Sequence, residues 1–242
     1  MTSQSDATTI SARGLTRRFG NHIAVKNVDL TLARGEVLGF LGPNGAGKTT
    51  TMQMLTGNLA PSEGEVAICG VDLLADPIAA KAKIGYLPET PPLYRDLTVD
   101  EYLTLALKLH RVPKNTRRDA IARVKTRCGL NDVGRKLIGA LSKGYQQRVG
   151  VAQAIAHGPE VVILDEPTVG LDPNQIRDIR ALIREVGQNH SVILSTHILS
   201  EVEAICDRVQ IMHRGDVVYR ESMQAVKESQ TRLEDVFAKL TQ

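Results

Sequence analysis

The stretch Gly42-Pro43-Asn44-Gly45-Ala46-Gly47-Lys48-Thr49 sets glycines, a lysine and a threonine at the spacing G-x-x-x-x-G-K-T. Such a loop suits phosphate. Its glycines let successive backbone N–H groups converge on anionic oxygens, and the N-terminus of a following helix adds positive partial charge. Lys48 then spans the β- and γ-phosphates of a nucleoside triphosphate, and Thr49 coordinates Mg²⁺. A glycine turn used only for packing needs neither Lys48 nor Thr49 in those places.

Asp165 and Glu166 close the apolar run Val161-Val162-Ile163-Leu164. A strand buried on both faces delivers functional groups at its carboxyl end, where open α/β sheets bind ligands. Asp165 is placed to hold Mg²⁺ directly or through water. Glu166 is placed to polarise an attacking water or accept its proton. Two acids before Pro167 also suit a solvated turn, but beside a phosphate-type loop the chemical reading is preferred. His197 follows a third run, Val192-Ile193-Leu194-Ser195-Thr196, that turns from apolar to polar. Alone it reads as a packing or surface histidine; at this sheet edge it is expected to contact a γ-phosphate and orient water.

Alternating strands and helices must position these groups. Strands are expected over 9–19 and 22–32, joined by a Gly20-Asn21 turn, and Val37-Leu38-Gly39-Phe40-Leu41 reads as a doubly buried strand. A helix follows over 47–55 and stops near Gly57, with strands at 65–69 and 83–87. Residues 91–159 change character and read as an inserted helical subdomain. There Thr98 and Glu101 form a capping box ahead of Val99, Tyr102, Leu103, Ala106 and Leu109 at helical spacing. A second helix is expected at 116–128, and a third from Ser142 to the Gly158-Pro159 stop.

Strands resume at 161–164 and 191–195. Between them Asp172-Pro173, with Gln175 as capping-box partner, opens a helix to about 186. Ser200 with Glu203 is expected to cap a short helix. Residues 207–242 are expected to hold a hairpin (208–213 and 216–219) and a terminal helix at 232–240. The fold class is α/β with a largely parallel sheet. Residues 1–8 read as a polar leader and 9–242 as one domain.

Composition narrows the class. Hydrophobic residues at 42% and charged residues at 24% describe an ordinary globular chain. No run approaches the roughly 20 apolar residues of a membrane span. Aromatics at 3%, with no Trp, argue against a stacking platform for single-stranded nucleic acid. A net charge of +3, from 30 basic and 27 acidic residues, is too balanced to make nucleic acid or an anionic membrane the main partner. Cys69, Cys128 and Cys206 lack zinc or redox spacing and read as free buried thiols in a reducing cytosol.

Leu141-Ser142-Lys143-Gly144-Tyr145-Gln146-Gln147-Arg148 resembles the signature motif of ATP-binding-cassette (ABC) ATPases, with Lys143 and Tyr145 replacing the commonest Gly and Gln. With the phosphate loop, Asp165-Glu166 and His197 in this order, nearly the whole chain after the leader is similar to that family. The resemblance implies a P-loop NTPase core, an N-terminal antiparallel β-subdomain and the helical insertion. It implies ATP and Mg²⁺ as ligands, with Gly42, Pro43, Asn44, Gly45, Ala46, Gly47, Lys48, Thr49 and Thr50 around the phosphates.

It also implies Phe19 against adenine, and Ser142 and Gly144 against ATP held by a second copy of the subunit. Asp172, in Gly170-Leu171-Asp172, would touch the partner's phosphate loop while serving as a helix cap. Glu89, in Tyr86-Leu87-Pro88-Glu89, stands where the family usually has glutamine, near Mg²⁺ or water. It keeps an acceptor there but adds charge and loses the amide donors.

In function the resemblance implies an ATP-hydrolysing transporter subunit. It would work as a head-to-tail dimer on the cytoplasmic side of the cell membrane, attached through a separate integral permease. Gly85-Tyr86-Leu87-Pro88-Glu89, Leu171-Asp172-Pro173-Asn174-Gln175 and Leu233-Glu234-Asp235-Val236-Phe237 look like bacterial exporters with an ABC-2 type permease, the multidrug and gliding-motility group. A soluble mechanical ATPase acting on ribosomes or DNA would share the motifs. A silent binding module would lack some of Lys48, Asp165, Glu166 and His197. The transporter reading is preferred, and no specific nucleic acid is expected.

Overall fold

The computed structural model describes residues 8–229 and 232–241 of the chain. The expected leader lies outside them, except that Thr8 already opens the first strand. In chain order the strands are β1 (Thr8–Phe19), β2 (His22–Ala33), β3 (Val37–Leu41), β4 (Glu63–Ile68), β5 (Val71–Asp72), β6 (Ile84–Leu87), β7 (Val161–Asp165), β8 (Ser191–Thr196), β9 (Arg208–His213) and β10 (Asp216–Ser222). The helices are α1 (Lys48–Leu55), α2 (Pro77–Ala82), α3 (Val99–Leu109), α4 (Lys114–Cys128), α5 (Lys143–Ile155), α6 (Pro173–Gly187), α7 (Leu199–Ile205), α8 (Met223–Glu228) and α9 (Leu233–Leu240).

Two sheets share the core. One is antiparallel, in the order β2-β1-β4-β5, and the Gly20-Asn21 turn brings Phe19 opposite His22 at its tip. The other runs β10-β9-β3-β8-β7-β6, parallel throughout except for the β9-β10 hairpin. Its inner strands are apolar on both faces because both faces are covered. Val161 and Ile163 face a core shared with the antiparallel sheet and α1, while Val162 and Leu164 face one shared with α3, α4, α5 and α6. On β8, Ile193 and the pair Val192 and Leu194 divide the same way.

Between β6 and β7 the chain is helical, and α3, α4 and α5 pack on one another. The Thr98 hydroxyl accepts the Glu101 N–H while Glu101 reaches back to the Thr98 N–H, a reciprocal cap worth about 1 kcal/mol. Val99, Tyr102, Leu103 and Ala106 are buried as the spacing requires. Leu109 is not: it is 72% exposed, and Leu107 takes the inward place because the helix ends before another turn can pack. α4 begins two residues before the expected start and stops at Gly129, whose φ of +65° only glycine adopts freely.

Other expectations need correction. β5, α2 and α8 were unforeseen, being too short to carry a period. Asp172 caps α6 through the Gln175 N–H, but the Gln175 side chain lies over Gly144 and forms no return bond. Ser200 and Glu203 do not cap α7. Its N-cap is Ile198, whose N–H is held by the Thr196 hydroxyl at 3.0 Å. The three cysteines are free, and Cys69 is only partly buried. Burial pushes the Cys128 thiol up to about 12, so it is not a nucleophile at neutral pH.

His157, just past α5, stacks on His110 at the end of α3, with ring centres 3.6 Å apart. Burial first, and then the neighbouring His110, depress His157 from 6.5 to about 4. Between those values the unfolded chain binds the proton that the folded one refuses, so stability falls as pH falls. Denaturant unfolding of the native chain should lose about 2 kcal/mol from this group between pH 7 and pH 5. His157→Gln, with nothing to titrate there, should remove that part of the slope; an unchanged slope contradicts the assignment.

Candidate active site

Parallel register gathers four strand ends at one edge. Leu41 lies beside Thr196, Asp165 beside Ser195, and Leu87 beside Leu164. The chain leaving each strand therefore supplies the 42–47 loop, His197, Glu166 and Glu89 to the same place. The Gly42 N–H donates to the Thr196 carbonyl at 3.2 Å, and the Glu166 N–H to the Ser195 carbonyl at 2.9 Å. Gly47 caps α1 with φ of +107°, and a Cβ there would lie 2.5 Å from the Ala24 carbonyl oxygen. No other residue fits that turn, which leaves the first N–H groups of α1 open to an anion.

The edge holds a cavity of about 490 Å³. Of the residues singled out by sequence, Phe19, Asn44, Gly45, Gly47, Lys48, Thr49, Thr50, Glu89, Glu166 and His197 line it. Phe19 is 48% exposed at the hairpin tip, with the Arg17 guanidinium 4.7 Å from its ring centre. This leaves ring surface for a flat ligand. Gly42 and Pro43 sit behind the loop, each giving a carbonyl to Lys48 Nζ, at 2.7 and 3.2 Å. Ala46 is packed into the core.

Lys48 and Glu166 form a nearly buried pair, Nζ to Oε1 3.2 Å, and His197 Nδ1 lies 2.8 Å from Glu166 Oε2. With Glu166 ionised, Nδ1 carries the proton and donates, leaving Nε2 as the other polar atom of the ring. Glu166 has φ of +48°, a strained setting for a residue with a Cβ, costing about 1–2 kcal/mol. The kink turns the chain off β7 and seats the carboxylate between a cation and an imidazole.

Asp165 is fully buried, and the Ser195 and Thr49 hydroxyls lie near its oxygens without making a well-formed hydrogen bond to either. Burial raises its carboxyl above the ordinary range. The Ser195 and Thr49 hydroxyls pull it back, and the charges of Glu166 and Glu89 push it further up. An orphaned, desolvated carboxylate beside a threonine hydroxyl suits a hard divalent cation, whose charge reverses that penalty. Among the described residues no three His, Cys, Asp or Glu side chains could hold a metal alone. Mg²⁺ needs no such cluster, being held through one or two carboxylates with phosphate and water completing its shell.

Three expected residues lie elsewhere. Ser142 is exposed and caps α5 through the Tyr145 N–H, Gly144 is buried under Gln175, and Asp172 is an exposed cap. None lines the cavity of its own chain. Lys143, a departure from the family's commonest residue, lies against Gly170. Sequence reasoning missed His22, Ala24 and Val169 as lining residues. The Gly20-Asn21 turn that faces Phe19 with His22 was the available signal for the first of these.

A family model described as ABC transporter matches residues 25–169. The chain is 38% identical over 221 residues to the uncharacterized ABC transporter ATP-binding protein YxlF of Bacillus subtilis (strain 168), covering 91% of this chain and 73% of that protein. It is also 38% identical over 214 residues to the bacitracin transport ATP-binding protein BcrA of Bacillus licheniformis, covering 88% and 69%. A solved structure titled as the ATP-binding subunit of an ABC transporter superposes with a TM-score of 0.87 at 28% identity, covering 97% of this chain and all of that one. The chain belongs to the ABC transporter family, as an ATP-binding subunit whose hydrolysis of ATP powers transport.

Proposed function

We propose that this subunit drives an exporter as one half of a head-to-tail ATP sandwich, held to the cytoplasmic side of the membrane by a separate integral permease. The supporting observation is a division of the site. Lys48, Glu166 and His197 meet in one cavity, whereas Ser142 and Gly144 of the same chain lie outside it. A second chain would supply the missing donors to the γ-phosphate. The transport role of BcrA and the ABC-2-like segments support export. No described helix is long and apolar enough to cross a membrane, so the passage through the bilayer is assigned to another subunit. The relatives' transport roles disfavour the mechanical reading.

The adenine stacks on Phe19, and the phosphates enter the turn of 42–50. There they compete with Glu166 for Lys48, which the Gly42 and Pro43 carbonyls already hold near the loop. Release from Lys48 leaves Glu166 to accept the proton of the attacking water. His197 holds that carboxylate through its Nδ1–H and lines the cavity that receives the phosphates. Thr49, Asp165 and Glu89 are the residues that would hold Mg²⁺, which would supply positive charge against the phosphates. Hydrolysis breaks the bridge between the two chains, and the separating products push the sandwich open.

Purification from native membranes in mild detergent should bring down an integral permease with this subunit. Recovery with ribosomes or DNA and no membrane protein would overturn the transporter assignment.

A further inference from the structure

Glu201, on α7, is fully buried and belongs to no motif. A carboxylate removed from water is costly unless its oxygens are bonded, and here both are. Thr168 Oγ donates to Oε1 at 2.6 Å, and Thr196 Oγ to Oε2 at 2.8 Å. Thr168 lies two residues after Glu166; Thr196 immediately precedes His197. Arg180 of α6, the helix capped by Asp172, approaches Oε1 at 3.7 Å. Thr196 Oγ also accepts the Ile198 N–H at 3.0 Å, which fixes the turn carrying His197.

We infer that Glu201 is a positioning residue for hydrolysis, clamping the Glu166 turn and the His197 turn so that the 2.8 Å contact between those side chains keeps its geometry. The two turns leave adjacent strands and carry opposite partners of one hydrogen bond. The backbone bond from the Glu166 N–H to the Ser195 carbonyl joins the strand ends. Glu201 adds a second tie beyond it, at Thr168 and Thr196, where a small displacement of a proton acceptor is expensive in rate. A carboxylate suits this tie because it can accept from both hydroxyls at once. The inference rests on the roles given above to Glu166 and His197.

The test uses the full chain and near-isosteric removal of each arm. Thr168→Val and Thr196→Val should each lower kcat by roughly tenfold, as loss of a bond to a charged group would, with KM for ATP within about twofold of native. Glu201→Gln can still accept from one hydroxyl through its amide oxygen and donate to the other through its amide N–H, and should retain more activity than Glu201→Ala. A role confined to stability would instead reduce the fraction of titratable sites and leave kcat per site unchanged. The decisive readout is a double-mutant cycle: in a His197→Ala background, Thr196→Val should change kcat by less than about twofold. Native kcat per site in both valine variants, or full additivity with His197→Ala, overturns the inference. If Glu166→Gln and His197→Ala themselves keep native turnover, the underlying reading fails instead.

Discussion

Lys48→Ala should weaken ATP binding by roughly 10- to 100-fold in an equilibrium titration, the worth of charge-assisted bonds to phosphate in a shielded site. Lys48 starts α1 at the loop's end, and its ammonium is already fixed by the Gly42 and Pro43 carbonyls and Glu166. Its conformational cost is therefore met before the ligand arrives, and little of the interaction is spent on ordering. The fold should survive. Glu166 loses a cation, but the His197 Nδ1–H remains 2.8 Å away to donate to it. Cooperative unfolding with weakened binding is the expected pair of results; native affinity and turnover would remove Lys48 from the phosphate site.

Glu166→Gln has a different signature, because it spares binding and strikes the chemical step. The amide matches the carboxylate in size and leaves Lys48, Thr49 and Asp165 in place. It cannot accept the water's proton, a role worth a factor of about 10² to 10⁴. Single-turnover hydrolysis should slow by that factor while ATP affinity stays native or rises, since Lys48 no longer has to leave an anionic partner 3.2 Å away. Hydrolysis at the native rate would contradict the assignment.

Much of this site was legible because the parallel sheet writes itself as unbroken apolar runs. Val161-Val162-Ile163-Leu164 and Val192-Ile193-Leu194 are followed directly by Asp165-Glu166 and His197, and register does the rest. The expected pattern needed no long-range contact except the side-by-side placement of β3, β8 and β7. The Thr98 cap was legible for a similar reason: both partners lie within one turn.

What escaped depends on contacts across the chain. Leu109 fits the helical period yet points outward, because burial also requires a neighbour and α3 ends there. Gln175 has the spacing of a capping partner, but Gly144, 31 positions away, offers it a better seat. The start of α7 is set by a threonine in the preceding strand, not by Ser200, which already lies inside the helix. Glu201 carried no signal at all: a glutamate in a short helix reads as solvated, and only the fold brings Thr168 and Thr196 to its two oxygens.

Light scattering of Glu166→Gln after size exclusion, in ATP·Mg²⁺ and in ADP·Mg²⁺, tests the sandwich most directly. Blocked hydrolysis keeps the γ-phosphate in place, so Ser142 and Gly144 of each chain continue to grip the nucleotide bound by the other. The account predicts a mass of two chains in ATP·Mg²⁺ and of one in ADP·Mg²⁺, with the ATP-dependent dimer abolished by adding Lys48→Ala. A single-chain mass in saturating ATP·Mg²⁺, with nucleotide shown to be bound, would contradict it.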